Sequence, residues 1–144
     1  KKNYIMKKIV LILAVFLLLL SYKVEGDLTR DAVLSTPIPE NTPPVAAGNF
    51  MPTSGINVTG SVKIYLSGNQ NEVRLENFSV SGGPDLKVYL SKNATPIDFV
   101  NLGNLTSSTR YSIPKQVNVS TYKYVLIHCQ QYNHLFAVAQ LTQN

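Results

Sequence analysis

Apolar and polar residues alternate with period two along the second half of the chain. In Ser61 to Leu66, Val62, Ile64 and Leu66 face one way while Lys63 and Tyr65 face the other. Val73, Leu75 and Asn77 alternate in the same manner with Arg74, Glu76 and Phe78, and Leu86, Val88 and Leu90 with Lys87, Tyr89 and Ser91. Such alternation predicts half-buried strands of an antiparallel sheet. Turn-forming stretches separate them, at Ser67 to Asn71, Ser81 to Asp85, Asn93 to Pro96, Gly103-Asn104 and Ser107-Ser108. Short strands at this spacing, with no amphipathic helix after the leader, predict an all-β domain, an antiparallel β-sandwich or jelly-roll-like body.

The final stretch, Tyr122 to Leu141, carries the only cysteine and both histidines. Two β-rich apolar runs flank a polar connection from Gln130 to His134, so two strands are expected, with Cys129 closing the first. On that strand Val125, Ile127 and Cys129 share one face, and Tyr124, Leu126 and His128 the other. A thiolate-imidazole pair between Cys129 and His128 is therefore excluded while the strand stays regular. His134, past the connection, is able to fold back toward either residue.

The N-terminal quarter has a different composition. Lys7-Lys8 precede an unbroken apolar run from Ile9 to Leu20, the charged and hydrophobic parts of a secretory signal peptide, and Met6 is the expected start. Twelve apolar residues fall short of the roughly 20 that a membrane-spanning helix needs. Residues 1–26 are read as a signal peptide with cleavage before Asp27, or else as an N-terminal anchor, which places the domain outside the cytoplasm: periplasmic, on the cell surface or secreted. No cysteine follows the apolar run, so lipoprotein attachment is excluded. Residues 27–48 form a Pro/Thr-rich linker, extended and exposed from Thr36 to Val45 because proline fixes the backbone and removes donors. Residues 49–144 are the folded domain.

The formal charge of +5 changes meaning once it is divided by position, since five lysines lie before residue 27. The remainder holds eight basic and seven acidic residues, a net +1, with Arg30, Lys63, Arg74, Lys87, Lys92, Arg110, Lys115 and Lys123 spread singly among acids. A nucleic-acid partner is excluded, because it would require a basic stripe. One cysteine permits no intrachain disulfide, so stability rests on a core of Val, Ile, Leu, Phe and Tyr.

Several pieces together resemble one family. Gly60-Ser61-Val62, Val73 to Phe78, Gly83-Pro84-Asp85 through Ser91, Phe99 to Leu105, Tyr111 to Pro114 and Tyr122 through Cys129 to Phe136 are similar, in order and spacing, to the electron-transfer DM-thirteen domain family. The resemblance covers about Asn49 to Leu141. It implies an all-β extracytoplasmic domain whose single cysteine is a proposed redox centre, linked to electron transfer or cell-surface interaction. Departures stand at His128, where the family usually has an aromatic, at Tyr132 in place of Phe, at Ala137 in place of Gly, and in a shortened stretch before Tyr111.

Two readings of Cys129 remain open: a small apolar group that packs, or a redox-active or intermolecularly paired thiol. A copper site is disfavoured by its ligands, because His128 adjoins Cys129 on the wrong face and no methionine follows; haem or copper would show as colour. No cofactor and no metal site is predicted. Asp85 bonds the amides of its turn or binds a ligand. Asp85, Asp98 and Glu76 lack the pairing of general acid-base chemistry or a calcium loop. Five sequons, at Asn57, Asn77, Asn93, Asn104 and Asn118, would accept glycans only in a eukaryotic secretory path. The expected function is a non-enzymatic exported module acting in thiol redox or electron transfer through Cys129 with an extracytoplasmic redox partner. The competing expectation is a surface binding or adhesion module in which Cys129 packs and Asp85, His128, Tyr132 and His134 meet a ligand.

Overall fold

A computed structural model describes residues 37–144. The leader, residues 1–26, and the linker up to residue 36 lie outside the described residues. Nine strands follow: β1 (Ala46–Pro52), β2 (Val58–Ser67), β3 (Gln70–Val80), β4 (Leu86–Ser91), β5 (Phe99–Asn104), β6 (Arg110–Ser112), β7 (Tyr124–Cys129), β8 (His134–Gln140) and β9 (Thr142–Gln143). The only helical turn among the described residues is a 3-10 turn at Val119–Thr121, capped by the Asn118 side chain on the Ser120 amide. The domain is all-β, as the alternation predicts.

The strands run in the order β5-β4-β7-β8-β1-β2-β3-β6, with β9 beside β1, and every pairing is antiparallel. β1 belongs to both layers. Its first half pairs with β2, from Ala46↔Ile64 to Asn49↔Ser61, and its second with β8, from Phe50↔Ala139 to Pro52↔Ala137. The two outer strands of the order, β5 and β6, meet, and the Thr106 amide just past β5 donates to the Tyr111 hydroxyl on β6 at 3.0 Å. The sheet therefore nearly closes into a flattened barrel around one apolar core. Val62, Ile64, Val73, Leu75, Val88, Leu90, Val125, Ile127, Ala137 and Ala139 fill it from both layers.

Three residues depart from the expected placement. Phe78, expected on the face of Arg74 and Glu76, packs edge-on against Phe50 at 4.9 Å and joins the core, while Asn77, expected on the face of Val73 and Leu75, is exposed. A register shift between Thr59 and Ser61, with Asn77 in the left-handed region, inserts an extra residue and turns every later side chain over. Leu66 holds the inward parity of Val62 and Ile64 but overshoots the core and is 51% exposed. β1 opens at Ala46, inside the stretch assigned to the linker; before it, Pro37 to Val45 carries one turn, with the Thr42 amide on the Pro39 carbonyl.

The change of partner along β1 depends on Gly48. A Cβ there would lie 2.2 Å from the Gln140 carbonyl oxygen, and neither backbone has room to give. Gly48→Ala should lower the urea unfolding free energy by about 3 kcal/mol or more, whereas alanine at Gly82, where a Cβ meets nothing within 4 Å, should cost less than about 1 kcal/mol. Equal losses at the two positions would refute this account of the crossover.

Candidate functional site

The site lies where β7 ends. Across the ladder Cys129 stands opposite Leu86 of β4 on one side and His134 of β8 on the other. Directly opposed residues of an antiparallel pair share a face, with Cβ atoms about 5 Å apart, so His134, exposed at the start of β8, stands across the ladder from the buried Cys129. β8 opens at His134, and the connection is Gln130 to Asn133, one residue shorter than the sequence suggests. Asn133 takes the left-handed backbone that closes this tight turn.

A bulge makes this facing possible. Ile127 pairs with Ala137 but His128 pairs with Leu135, leaving Phe136 as the extra residue. Its carbonyl turns out of the ladder and accepts hydrogen bonds from the Thr53 amide at 3.0 Å and the Thr53 hydroxyl at 3.1 Å. The Phe136 ring turns inward and meets His134 edge-on at 5.4 Å. Phe136 and Leu86 close over the end of the core, and the Gly83 backbone lies against them: a Cβ at Gly83 would be 2.9 Å from Leu86 and 3.0 Å from Phe136. Cys129 itself is fully buried.

The remaining expected residues divide by face. The Asp85 carboxylate pairs with Lys87 at 2.7 Å, and its carbonyl accepts from the Gln130 amide at 2.9 Å, tying the Gly82 to Asp85 turn to the start of the hairpin. Tyr132, at the hairpin tip, is 69% exposed. His128 points away from Cys129 to the outer face, beside Tyr89 at 5.3 Å, and Tyr89 in turn stacks on Phe99 at 4.1 Å. Register thus puts Cys129 and His134 opposite each other, with no hydrogen bond between their side chains among the described residues, while His128 faces outward yet lies near enough to His134 to be acted on by it electrostatically. Thr53, Gly83, Leu86, Phe136 and Tyr89 complete the surroundings; only the aromatic-rich spacing of the final stretch hinted at them.

His128 is buried although it faces outward, and its Nδ1 has no hydrogen-bond partner. Burial lowers its pKa below the usual 6.5; the Asn133 side-chain oxygen, as an acceptor for the imidazole N–H, raises it, and the nearby His134 lowers it further. Among the described residues no group of three His, Cys, Asp or Glu side chains is arranged to hold a metal ion.

Residues 51–141 match the family described as Electron transfer DM13. The chain belongs to that family. No curated protein and no solved structure matches it. Electron transfer is accordingly the broad class of function of this DM13 domain, and Cys129, His134 and Phe136 all fall inside the matched range.

The lowered pKa of His128 has a stability consequence. Above pH 6.5 the imidazole is neutral in both folded and unfolded chains; below it the unfolded chain takes up a proton that the folded one resists, so stability falls as pH drops from 6.5 toward the folded-state value. Urea titrations of the wild type and His128→Phe should differ in slope across that window, the variant being flatter. Parallel curves would show that His128 does not carry the effect.

Proposed function

We propose that this domain transfers electrons outside the cytoplasm by thiol chemistry at Cys129, with His134 as its proton acceptor and the sulfur itself as the carrier, with no resident metal or haem. The observation that supports this reading is the cross-strand pairing of the lone thiol with His134. A thiol becomes a nucleophile only as the thiolate, and an adjacent imidazole is the ordinary means of removing the proton. The thiol proton passes to His134 and the sulfur attacks a disulfide of an exported partner. The Cys129 to partner bond forms as the partner's own S–S bond breaks, and its second sulfur leaves and collects the proton from His134. A thiol of a second partner then attacks the Cys129 sulfur and releases the first partner as a dithiol, and the second partner's other thiol closes its own disulfide and releases Cys129 as thiol, so an electron pair has moved from second partner to first.

Burial requires an opening step. Leu86, opposite Cys129 in the ladder, and Phe136, in the same core cluster, pack against the exposed Gly82 to Pro84 turn at this end of the barrel, and these are the groups such an opening would move. The second reading, a binding or adhesion module, is favoured by the complete burial of Cys129 and the exposure of Tyr132 beside it.

Labelling separates the two. Under the redox reading a small disulfide reagent modifies Cys129 in the native protein with an opening free energy well below the roughly 5–15 kcal/mol of global unfolding, and His134→Gln slows the reaction about 100-fold at an unchanged melting midpoint. If modification of the wild type demands global unfolding, Cys129 only packs and the binding reading stands.

A further inference from the structure

Four of the seven basic side chains of the described domain are ion-paired: Lys63 with Glu76, Arg74 and Arg110 with Glu72, and Lys87 with Asp85. The other three, Lys92, Lys115 and Lys123, are exposed and form no ion pair among the described residues. Topology gathers all three at one end. Lys92 directly follows β4 at the end where Ser91 pairs with Tyr124. Lys123 directly precedes β7, its amide on the Ser91 carbonyl and its carbonyl accepting from Leu141. Lys115 follows β6 beside the β2-β3 turn, where the Gln70 side chain holds the Ile113 carbonyl at 3.1 Å.

The same end carries two of the most exposed large apolar residues, Ile97 at 64% and Leu66 at 51%, and Lys92 lies over the Tyr122 ring at 5.7 Å. Glu72, opposite Tyr65 and Ser112, is taken up by Arg74 and Arg110, so among the described residues the carboxylates left at this end are Asp98 and, on the tether, Glu40. Pro37 to Val45 enters the domain at this end, where Val45 bonds the Ile64 carbonyl at 2.8 Å. β7 then runs from Tyr124 to Cys129 away from it, about 17 Å at 3.4 Å per residue. The Cys129 end, by contrast, has Asp85 and Lys87 as a neutralised pair.

We propose that this lysine-bearing end is a seat for an anionic lipid bilayer surface. Unpaired lysines supply charge complementary to headgroup phosphates, Ile97 and Leu66 reach the interfacial region, and the tether brings the end within reach of whatever surface holds the chain. Seating turns Cys129 outward from the lipid. This inference is independent of thiol chemistry, since it involves neither Cys129 nor His134.

The test uses the full chain with Cys129→Ser and one new cysteine for a dye, Asn69→Cys in the β2-β3 turn or Gln131→Cys in the β7-β8 hairpin. Energy transfer to headgroup-labelled lipid is measured on phosphatidylcholine vesicles with and without phosphatidylglycerol. The Asn69 dye should lie closer to lipid than the Gln131 dye when phosphatidylglycerol is present. That proximity should vanish without phosphatidylglycerol, at 1 M salt, where the screening length shrinks to about 3 Å, and on replacing Lys92, Lys115 and Lys123 with glutamate. Three lysines at roughly fivefold each give a shift in the seating equilibrium on the order of 100-fold. A Lys→Gln triple variant replaces the reversal if the latter melts early. Attachment through the leader alone, or lysines that serve an acidic protein, gives transfer independent of lipid charge and of the three lysines, and either result overturns the proposal.

Discussion

The architecture depends on one close backbone approach, that of Gly48 to the carbonyl of Gln140. There β1 stops pairing with β2 and starts pairing with β8, and a strand able to serve both layers is what joins them without a long connection. With β8 held against β1, Thr53 at the end of that strand reaches the bulged carbonyl of Phe136. The bulge fixes the register of the last hairpin, and the register puts His134 beside Cys129. A one-residue slip would send the imidazole to the opposite face. The register at the Cys129 end of the barrel is thus tied to a steric constraint at the β1 crossover.

β7 is buried on both faces. Val125, Ile127 and Cys129 enter the core, while Leu126 and His128 lie under the outer residues of the same layer, beside Tyr89. A strand of this kind gains apolar burial twice over, worth about 1.5–3 kcal/mol for each fully covered side chain. The cost falls on His128, which gives up solvent and keeps an unpartnered nitrogen. Its depressed pKa and the aromatic residue usual at this position in the family have one physical origin: the environment is that of an apolar ring.

Period-two alternation made β2, β4 and β7 legible from the sequence because each keeps its parity over its buried length. Phe78 escaped because parity carries information only until a bulge intervenes, and bulges leave a faint trace in composition. Leu66 escaped for another reason: alternation says which way a side chain points, not where the opposite layer stops. The facing of Cys129 against His128 followed from one strand alone and was readable. Its pairing with His134 requires counting across a turn and past an extra residue, so neither the shorter connection nor the bulge at Phe136 was accessible to pattern. Gly48 gave no signal either, since the atom it avoids is remote in sequence.

A buried thiol is compatible with electron transfer when access and reactivity arise in one motion. Phe136 and Leu86, which share this end of the core with Cys129, hold a hydrophobic contact with a glycine-rich turn, and Phe136 also touches the imidazole that would accept the proton. On the thiol reading, displacing Phe136 would open the core end that holds the sulfur and free His134 together. A permanently exposed thiol beside an imidazole would react with any passing disulfide, whereas one covered by a partner-displaceable ring reacts where a partner supplies the displacing surface. Tyr132, exposed at the tip of the same hairpin, is the residue such a partner meets first. On the thiol reading proposed above, specificity would come from the free energy of opening, with His134 across the ladder as the sulfur's proton acceptor.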